Sequence, residues 1–257
     1  MSTKFQSNQS VEKVLQIIET LAMNKGPMRL QDLSQHLGIP SSTAMRFLKT
    51  LMQQNYVSQS PESQRYSLTL KICHVADLAG GQFDIRDVVR PVLKELSLQF
   101  GESACLAIEQ NLSAVYLDVA EGADSILKVT QRIGKVAPLH CSGVGKALLL
   151  NYTGQDIDRL IAEKGLPRYT EHTITDREEL LAELAGIRDT GVSHDLQECE
   201  LGASCIAAPI YDYTGRVAAS ISVTGPTSRM TAQKMQRIEP ILRQKATELS
   251  AQLAYER

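Results

Sequence analysis

The sequence predicts an α+β fold in two domains: a small helical N-terminal domain closed by a β-hairpin, and a larger domain with helices packed on an antiparallel sheet. Residues 28–68 contain two short amphipathic segments, a Gly-Ile-Pro turn and a hairpin-like stretch. Residues 84–257 run in the order helix, strands, helices, strands, helix. A length of 257 residues allows two domains that each have a core.

The two short segments form a helix-turn-helix pattern. LQDLSQHL is followed by Gly38-Ile39-Pro40 and then by SSTAMRFLKTLMQQ. At 3.6 residues per turn, one stripe of the second helix consists of Ala44, Phe47, Leu48 and Leu51. We expect that stripe to pack against a neighbouring helix, and we expect Ser41 to be the N-cap.

The remaining surface of the second helix is rich in hydrogen-bond donors. Hydroxyl groups at its start and an Arg one turn later are typical of a helix that reads base edges in the DNA major groove. The hairpin YVSQSPESQRYSL reads as a wing with one Arg. We predict DNA binding by a winged helix-turn-helix rather than a helical interaction module, through Ser41, Ser42, Thr43, Arg46, Lys49, Thr50 and Arg65.

The charge distribution agrees with this interpretation. Residues 1–80 hold eight Lys or Arg and five Asp or Glu, a net charge of +3. The whole chain has a net charge of −2, so the remainder carries −5. Because an excess of +3 is small for binding a polyanion, we expect two DNA-binding domains to act together.

Composition excludes several other classes of protein. A hydrophobic content of 43% and a charged content of 22% indicate a soluble globular chain. The sequence contains no run of about 18 apolar residues, so it predicts no membrane-spanning helix. The polar start MSTKFQSNQS does not resemble a signal peptide. Five cysteines without a C-x-x-C pair indicate free thiols in the cytoplasm.

The domain boundaries follow from the order of elements. We assign residues 1–68 to the DNA-binding domain, with a first helix after Ser10. The predicted apolar face of that helix consists of Val11, Val14, Leu15, Ile18, Leu21 and Ala22. Residues 69–83 read as a linker helix that ends at the hinge-like Gly80-Gly81, and residues 84–257 form the larger domain. There we expect strands at 104–110, 113–120, 125–133, 192–196, 203–212 and 216–225.

The turn SGVGKA at 142–147 suits an anion, because glycines allow backbone N–H groups to approach a ligand at a helix start. A nucleotide-binding Walker loop does not fit, since that pattern needs Gly at position 140 and Ser or Thr at position 147. His140 and Ala147 stand there instead.

Four segments resemble the IclR family of bacterial transcriptional regulators: STAMRFLKTLMQQNYV at 42–57, PLHCSGVGKALLL at 138–150, ELGASCIAAPIYD at 200–212 and VAASISVTGPTSRM at 217–230. The resemblance implies a winged-helix reader, a linker helix and a GAF-like α/β effector-binding domain. It also implies homodimers, often paired into tetramers, on a near-palindromic operator. The implied effector is a small carboxylate from a catabolic pathway, such as a sugar acid or a 2-oxo acid, and the implied role is that of a repressor.

The resemblance also implies an effector pocket. Its lining would be Ala137, Gly143, Val144, Asp195, Cys205, Ser222 and Thr224. The chemistry agrees, since Ser222 and Thr224 alternate along a strand and share one face, and His140 is near enough to donate to an anion. We expect no cofactor and no metal.

Two other functions were weighed. An enzyme is disfavoured, because no G-x-S-x-G elbow or paired carboxylates are present, and His140 and Cys141 on a strand would point to opposite faces. A metal- or redox-sensing DNA-binding regulator is the main alternative. It would use His140, Cys141, His194, Cys199 and Cys205, although their spacing fits no tight metal signature.

Overall fold

A computed structural model describes residues 8–24, 26–80, 84–122, 129 and 131–255. The chain divides into two compact units, residues 1–83 and residues 84–257. Gly81 of the predicted hinge lies outside the described residues, as does most of the strand predicted at 125–133.

The N-terminal unit is helical with a short hairpin. Its elements are α1 (Gln9–Met23), α2 (Leu30–Leu37), α3 (Ser41–Gln53), β1 (Val57–Gln59), β2 (Tyr66–Leu68) and α4 (Lys71–Gly80). The core includes the fully buried Ile17, Leu33 and Leu48. The predicted face of α1 is confirmed in part: Leu21 is buried and Val14 and Ile18 pack against the core, whereas Val11 and Leu15 are both 53% exposed. The prediction omits Ile17, which is fully buried.

The turn between α2 and α3 has the geometry that its sequence predicts. Gly38 has a φ of +61°, a left-handed conformation that costs glycine little, and it ends α2. Pro40, not Ser41, is the N-cap of α3, and its carbonyl accepts from the backbone N–H groups of Thr43 and Ala44. The predicted cap is therefore wrong by one residue. A proline suits this border because its fixed φ and missing N–H are compatible with a helix start.

The larger unit is built on one six-stranded antiparallel sheet. Its elements are α5 (Ile85–Phe100), β3 (Ser103–Glu109), β4 (Ala114–Ala120), β5 (Val136–Ala137), α6 (Gly143–Leu148), α7 (Gly154–Lys164), α8 (Arg177–Thr190), β6 (Ser193–Leu196), β7 (Ala203–Tyr211), β8 (Val217–Pro226) and α9 (Ala232–Gln252). The strand order is β5-β4-β3-β8-β7-β6. The architecture is α+β, as predicted.

The sheet separates two hydrophobic cores. One face packs against α5 and α9, with Leu106, Ile206 and Ile221 among its buried residues. The opposite face packs against α6 and carries Cys105 and Ala207. Successive side chains along a strand point to opposite faces, so adjacent residues belong to different cores. The second face holds the cavity described below.

Candidate functional site

The outer surface of α3 is polar and exposed. The predicted stripe of Ala44, Phe47, Leu48 and Leu51 is buried, which turns the remaining side chains outward. Ser41, Ser42, Arg46, Lys49 and Thr50 are exposed, and Thr43 is half-buried. The structure thus brings six of the seven predicted DNA contacts together on one helix.

Two of these hydroxyl groups already have partners inside the unit. Ser41 Oγ shares a hydrogen bond of 3.0 Å with Ser34 Oγ of α2, and Thr50 Oγ1 donates to the Arg46 carbonyl at 3.2 Å. Within the described residues, neither Arg46 nor Lys49 forms an ion pair, so both cations face solvent. The Arg46 guanidinium lies 5.3 Å from the Phe47 ring centre.

The wing is a short hairpin in which Val57 pairs with Leu68 and Gln59 pairs with Tyr66. Arg65, the seventh predicted DNA contact, is half-buried in it, and its Nη1 donates to the Pro27 carbonyl at 3.2 Å. Part of this guanidinium therefore ties the wing to the segment before α2. This arrangement leaves less of the Arg65 guanidinium free for other contacts than that of Arg46.

A cavity of 210 Å³ opens on the second face of the sheet. Five of the predicted pocket residues line it: Ala137, Gly143, Asp195, Cys205 and Thr224. Further lining residues were not predicted: Tyr116, Val129, Gln131, Lys135, Val136, Pro138, Ser142, Cys199, Glu200, Ala203 and Ser204. Of these, Ser142 carried a sequence signal, because it stands at the N-cap position before GVGKA.

The other three predicted pocket residues lie elsewhere. Val144 is buried in the hydrophobic core. Ser222 is buried two residues before Thr224 on the same face of β8, where Cys105 and Ala207 are its neighbours across the strands. His140 lines a different cavity beside Tyr169, and its Nε2 lies 3.1 Å from the Pro167 carbonyl oxygen.

Two buried hydroxyl groups on β8 have no oxygen or nitrogen partner. Neither Ser222 Oγ nor Thr224 Oγ1 forms a hydrogen bond to an oxygen or nitrogen atom within the described residues, and Gln131 Oε1 has no partner there either. The polar groups beside the two hydroxyl groups are the weakly bonding thiols of Cys105 and Cys205. A buried polar group without a partner costs about 1–3 kcal/mol. Because Thr224 and Gln131 both line the cavity, their free polar atoms are suited to a ligand.

Asp195 of β6 organises the loop at one side of the cavity. Its Oδ1 accepts from the backbone N–H groups of Glu198 and Cys199, at 2.7 and 3.4 Å. Burial raises the pKa of this carboxyl above its ordinary value. Asp195 therefore holds the loop as well as facing the cavity.

The glycines of the SGVGKA turn do not act alike. Gly143 lines the cavity, and a Cβ there would lie 3.0 Å from Cys205 Sγ. Gly145 is needed for packing, because a Cβ there would lie 2.6 Å from the Leu139 backbone, and its N–H donates to Ser142 Oγ. The interpretation of Gly145 as an anion donor is wrong. Helix α6, moreover, is only six residues long.

A buried ion network lies behind this turn. Lys146 is 1% exposed, and its Nζ lies 2.6 Å from Glu198 Oε1 and 2.8 Å from Glu183 Oε1. Glu198 Oε2 has no partner among the described residues. Burial raises the pKa of Glu198 to about 7 even though Lys146 opposes the shift. Since Lys146 is fully engaged, it offers no charge to a ligand.

The region around Cys141 differs from the predicted strand. Residues 139–142 form a turn, and the side chains of His140 and Cys141 interact. Cys141 Sγ lies 3.2 Å from Cys199 Sγ. His194, by contrast, faces another cavity near Glu239. In the part of the chain that the structure describes, no group of three or more His, Cys, Asp or Glu side chains is placed to hold a metal ion.

Comparison with known proteins bears on both sites. Residues 10–61 match the IclR helix-turn-helix domain, and residues 79–251 match the family described as bacterial transcriptional regulator IclR C-terminal. The chain belongs to the IclR family. It is a DNA-binding transcriptional regulator with a C-terminal effector-binding domain, and it is not an enzyme.

Named relatives match along almost the full chain. The transcriptional regulator XynR of Escherichia coli K12 is 31% identical over 96% of this chain and 98% of its own. The transcriptional repressor AllR of the same strain is 31% identical over 95% of this chain and 90% of its own. These relatives lend the metal- or redox-sensing alternative no support.

Solved structures of the family share the fold. Pseudomonas aeruginosa HmgR has a TM-score of 0.72 and 26% identity, over 97% of this chain and 99% of its own. Thermotoga maritima IclR has a TM-score of 0.63 and 26% identity, over 96% of this chain and 99% of its own. Within the described residues of this chain, no helix has both the length and the apolar character needed to cross a bilayer.

Proposed function

We propose that this chain is a cytoplasmic repressor of a catabolic operon and that a small carboxylate in the sheet cavity controls its binding to a near-palindromic operator. Residues 1–68 read the DNA, residues 69–83 form the linker and residues 84–257 bind the effector. The effector is a sugar acid or a 2-oxo acid. The repressor name of AllR, a relative with matching length, supports the direction of control.

One observation carries the effector proposal: Thr224 Oγ1 is buried, forms no hydrogen bond to oxygen or nitrogen within the described residues, and belongs to a residue that lines the cavity. A hydroxyl group can donate to a carboxylate oxygen or accept from a ligand hydroxyl. Lys135 lines the same cavity and is exposed, which places a cation where it can face a carboxylate. Asp195 adds an acceptor for ligand hydroxyl groups.

The size of the cavity favours a small ligand. A volume of 210 Å³ is below the roughly 300–1,000 Å³ of pockets for drug-sized molecules. At about 30 Å³ for each water in the liquid, it corresponds to a handful of waters. A short acid fits this space better than a nucleotide.

The DNA-binding proposal has two parts: the exposed side chains of Arg46 and Lys49 on α3 contact DNA, and a second copy of the chain supplies a second α3 helix. Leu70, the residue before α4, is 82% exposed, and Leu78 near the end of α4 is 57% exposed. Large apolar side chains exposed on one short segment are typical of a protein interface. We propose that α4 pairs with its counterpart in a homodimer, which places two α3 helices on two half-sites and forms half of a tetramer.

Calorimetry with short sugar acids and 2-oxo acids, beginning with D-gluconate and pyruvate, tests the effector site. We expect the Ser222→Ala/Thr224→Val double variant to bind the best of these acids at least tenfold more weakly, because hydrogen bonds to a charged ligand contribute about 1.5–3 kcal/mol. Ser220→Ala is the matched control, since Ser220 is buried on the same strand but donates to the Ala208 carbonyl. Equal affinity of the double variant and the parent would contradict the proposal.

A further inference from the structure

Two thiol groups meet at the wall of the effector cavity. Cys141 Sγ and Cys199 Sγ are 3.2 Å apart although 58 residues separate them in the chain. Cys141 is buried in the turn that leads into α6, and Cys199 lies in the loop after β6. Cys199 is half-buried and lines the cavity, so a small molecule that enters the cavity reaches the Cys199 sulfur, and the fully buried Cys141 sulfur lies 3.2 Å from it.

The surroundings of the pair favour a thiolate. A hydrogen bond from the Cys199 thiol, with a further contribution from His140, lowers the pKa of Cys141 to about 6. The same hydrogen bond raises the pKa of Cys199, so the proton stays on that sulfur. The thiolate is the nucleophilic form of cysteine, and a neighbouring thiol is what resolves its oxidised product.

The other three cysteines lack this combination. Burial raises the pKa of Cys205 to about 12, and burial likewise raises the pKa of Cys105. Cys73 is exposed on α4, and no other sulfur lies in contact with it within the described residues. Only Cys141 and Cys199, of the thiols that the structure describes, form a pair.

We propose that Cys141 and Cys199 are an oxidation site that takes a hydroperoxide and closes to an intramolecular disulfide. The Cys141 thiolate attacks one peroxide oxygen, an S–O bond forms, the O–O bond breaks, and the departing hydroxide takes up a proton to become water. Cys199 then attacks the sulfenic sulfur, the S–S bond forms, and the S–O bond breaks to release a second water that carries the Cys199 proton. Two thiols lose two electrons and two protons, and hydrogen peroxide becomes two waters.

The bond would join two walls of the cavity. Pro138, Ser142 and Gly143 line it on one side, and Cys199 and Glu200 line it on the other. A disulfide fixes the distance between these walls and shifts the loop whose backbone is held by Asp195. The expected change in effector affinity on oxidation rests on the function proposed above, whereas formation of the bond does not.

Peptide mapping of the full chain tests the bond directly. The reduced protein is treated with hydrogen peroxide, remaining thiols are alkylated, and the digest is analysed by mass spectrometry. We expect the fragments that contain Cys141 and Cys199 to be joined with the loss of two hydrogens, and to separate again on treatment with dithiothreitol. The other three of the five thiols should remain open to alkylation after unfolding.

Two variants sharpen the test. In Cys199→Ser the disulfide-linked pair of fragments should disappear, and dimedone should trap Cys141 as a sulfenic acid. Cys73→Ser is the matched control, because it removes the exposed thiol and should leave the linked pair unchanged. The proposal is overturned if both thiols of the parent stay alkylatable while Cys73 reacts, or if the only disulfide formed joins Cys73 of two chains.

Repeating the calorimetry on oxidised protein separates the two proposals. If the bond forms and the reduced protein binds none of the acids, the effector proposal fails and the oxidation site stands. If the acids bind but no bond forms, the oxidation site fails alone.

Discussion

The surface of α3 and the cavity face of β8 use the same residue types in opposite settings. On α3, Ser41 and Thr50 are exposed, and their hydroxyl groups are bonded within the unit. On β8, Ser222 and Thr224 are buried, and their hydroxyl groups have no oxygen or nitrogen partner among the described residues. Exposed hydroxyl groups add no desolvation cost to folding, whereas buried hydroxyl groups without a strong partner are unfavourable, and a ligand that bonds to them would relieve that cost.

The comparison of buried with exposed polar groups extends to charges, and the largest expected change in stability is at the buried Lys146. At pH 8, Lys146→Met should lower the free energy of unfolding by about 3–5 kcal/mol, because it leaves the buried Glu198 carboxylate without its cation. Urea denaturation measures this loss. Arg159→Met is the control, since the Arg159–Glu163 pair is exposed and such pairs contribute about 0.3–0.5 kcal/mol. An equal loss of unfolding free energy in both variants would contradict the expectation that the buried charge matters more than the exposed one.

The second effect is a pH dependence of the free energy of unfolding, which the buried Glu198 should cause. The pKa of Glu198 is about 7 in the folded chain and has an ordinary value of 4.5. Between these values the folded state binds the proton more tightly than the unfolded state, so stability falls as pH rises from about 4.5 through 7. The total is on the order of 3 kcal/mol. Glu198→Gln should flatten this part of the profile, and an unchanged slope in urea denaturation at pH 5–8 would refute the assignment.

The third effect concerns Arg46 on the exposed side. Arg46→Ala should weaken binding to a specific operator by about 1–3 kcal/mol and leave the free energy of unfolding unchanged, because its guanidinium faces solvent. Fluorescence anisotropy with labelled operator DNA measures the affinity. Arg188→Ala removes an equally exposed arginine from α8 and should change neither quantity. Specific binding that survives Arg46→Ala at full strength would rule out this face of α3 as the reader.

The smallest effect compares hydroxyl groups within β8. Thr224→Val should raise the free energy of unfolding of the ligand-free protein by up to about 1 kcal/mol, since it removes a buried group without an oxygen or nitrogen partner. Ser220→Ala should lower it by about 1 kcal/mol, because that hydroxyl group donates to the Ala208 carbonyl. Denaturation without added acid distinguishes the two signs. Destabilisation of similar size in both would show that Thr224 has a structural partner.

The parts of the molecule that sequence predicts well are those governed by local periodicity. The stripe of α3 follows from 3.6 residues per turn, and the shared face of Ser222 and Thr224 follows from strand alternation. The face of α1 is predicted only in part, because its apolar residues lie on more than one side and only tertiary packing selects Ile17 over Val11 and Leu15. The Ala137 and Gly143 positions came from family resemblance rather than from spacing.

The features that the sequence does not predict depend on which distant segments the loops bring together. His140 is expected at the cavity because it neighbours the SGVGKA turn, but the turn at 139–142 directs it toward Pro167 and Tyr169. The contact of Cys141 with Cys199 joins segments far apart in sequence, and no local pattern encodes it. Gln131 and Lys135 reach the cavity from a segment without regular structure. Long-range closure of loops is the information that a single sequence lacks.

The edges of the sheet have a consequence for how the receptor opens. Strand β5 has only two residues, which pair with Ala114 and Val115 at one border, and the four-residue β6 forms the other border. Both borders contribute to the cavity, through Ala137 and Asp195, whereas its floor belongs to the long interior strands. If the cavity widens when a ligand enters, we expect the short edge pairing of β5 to separate before the long interior strands do. Amide hydrogen exchange should be fastest at 136–137 and slowest along the middle of β8.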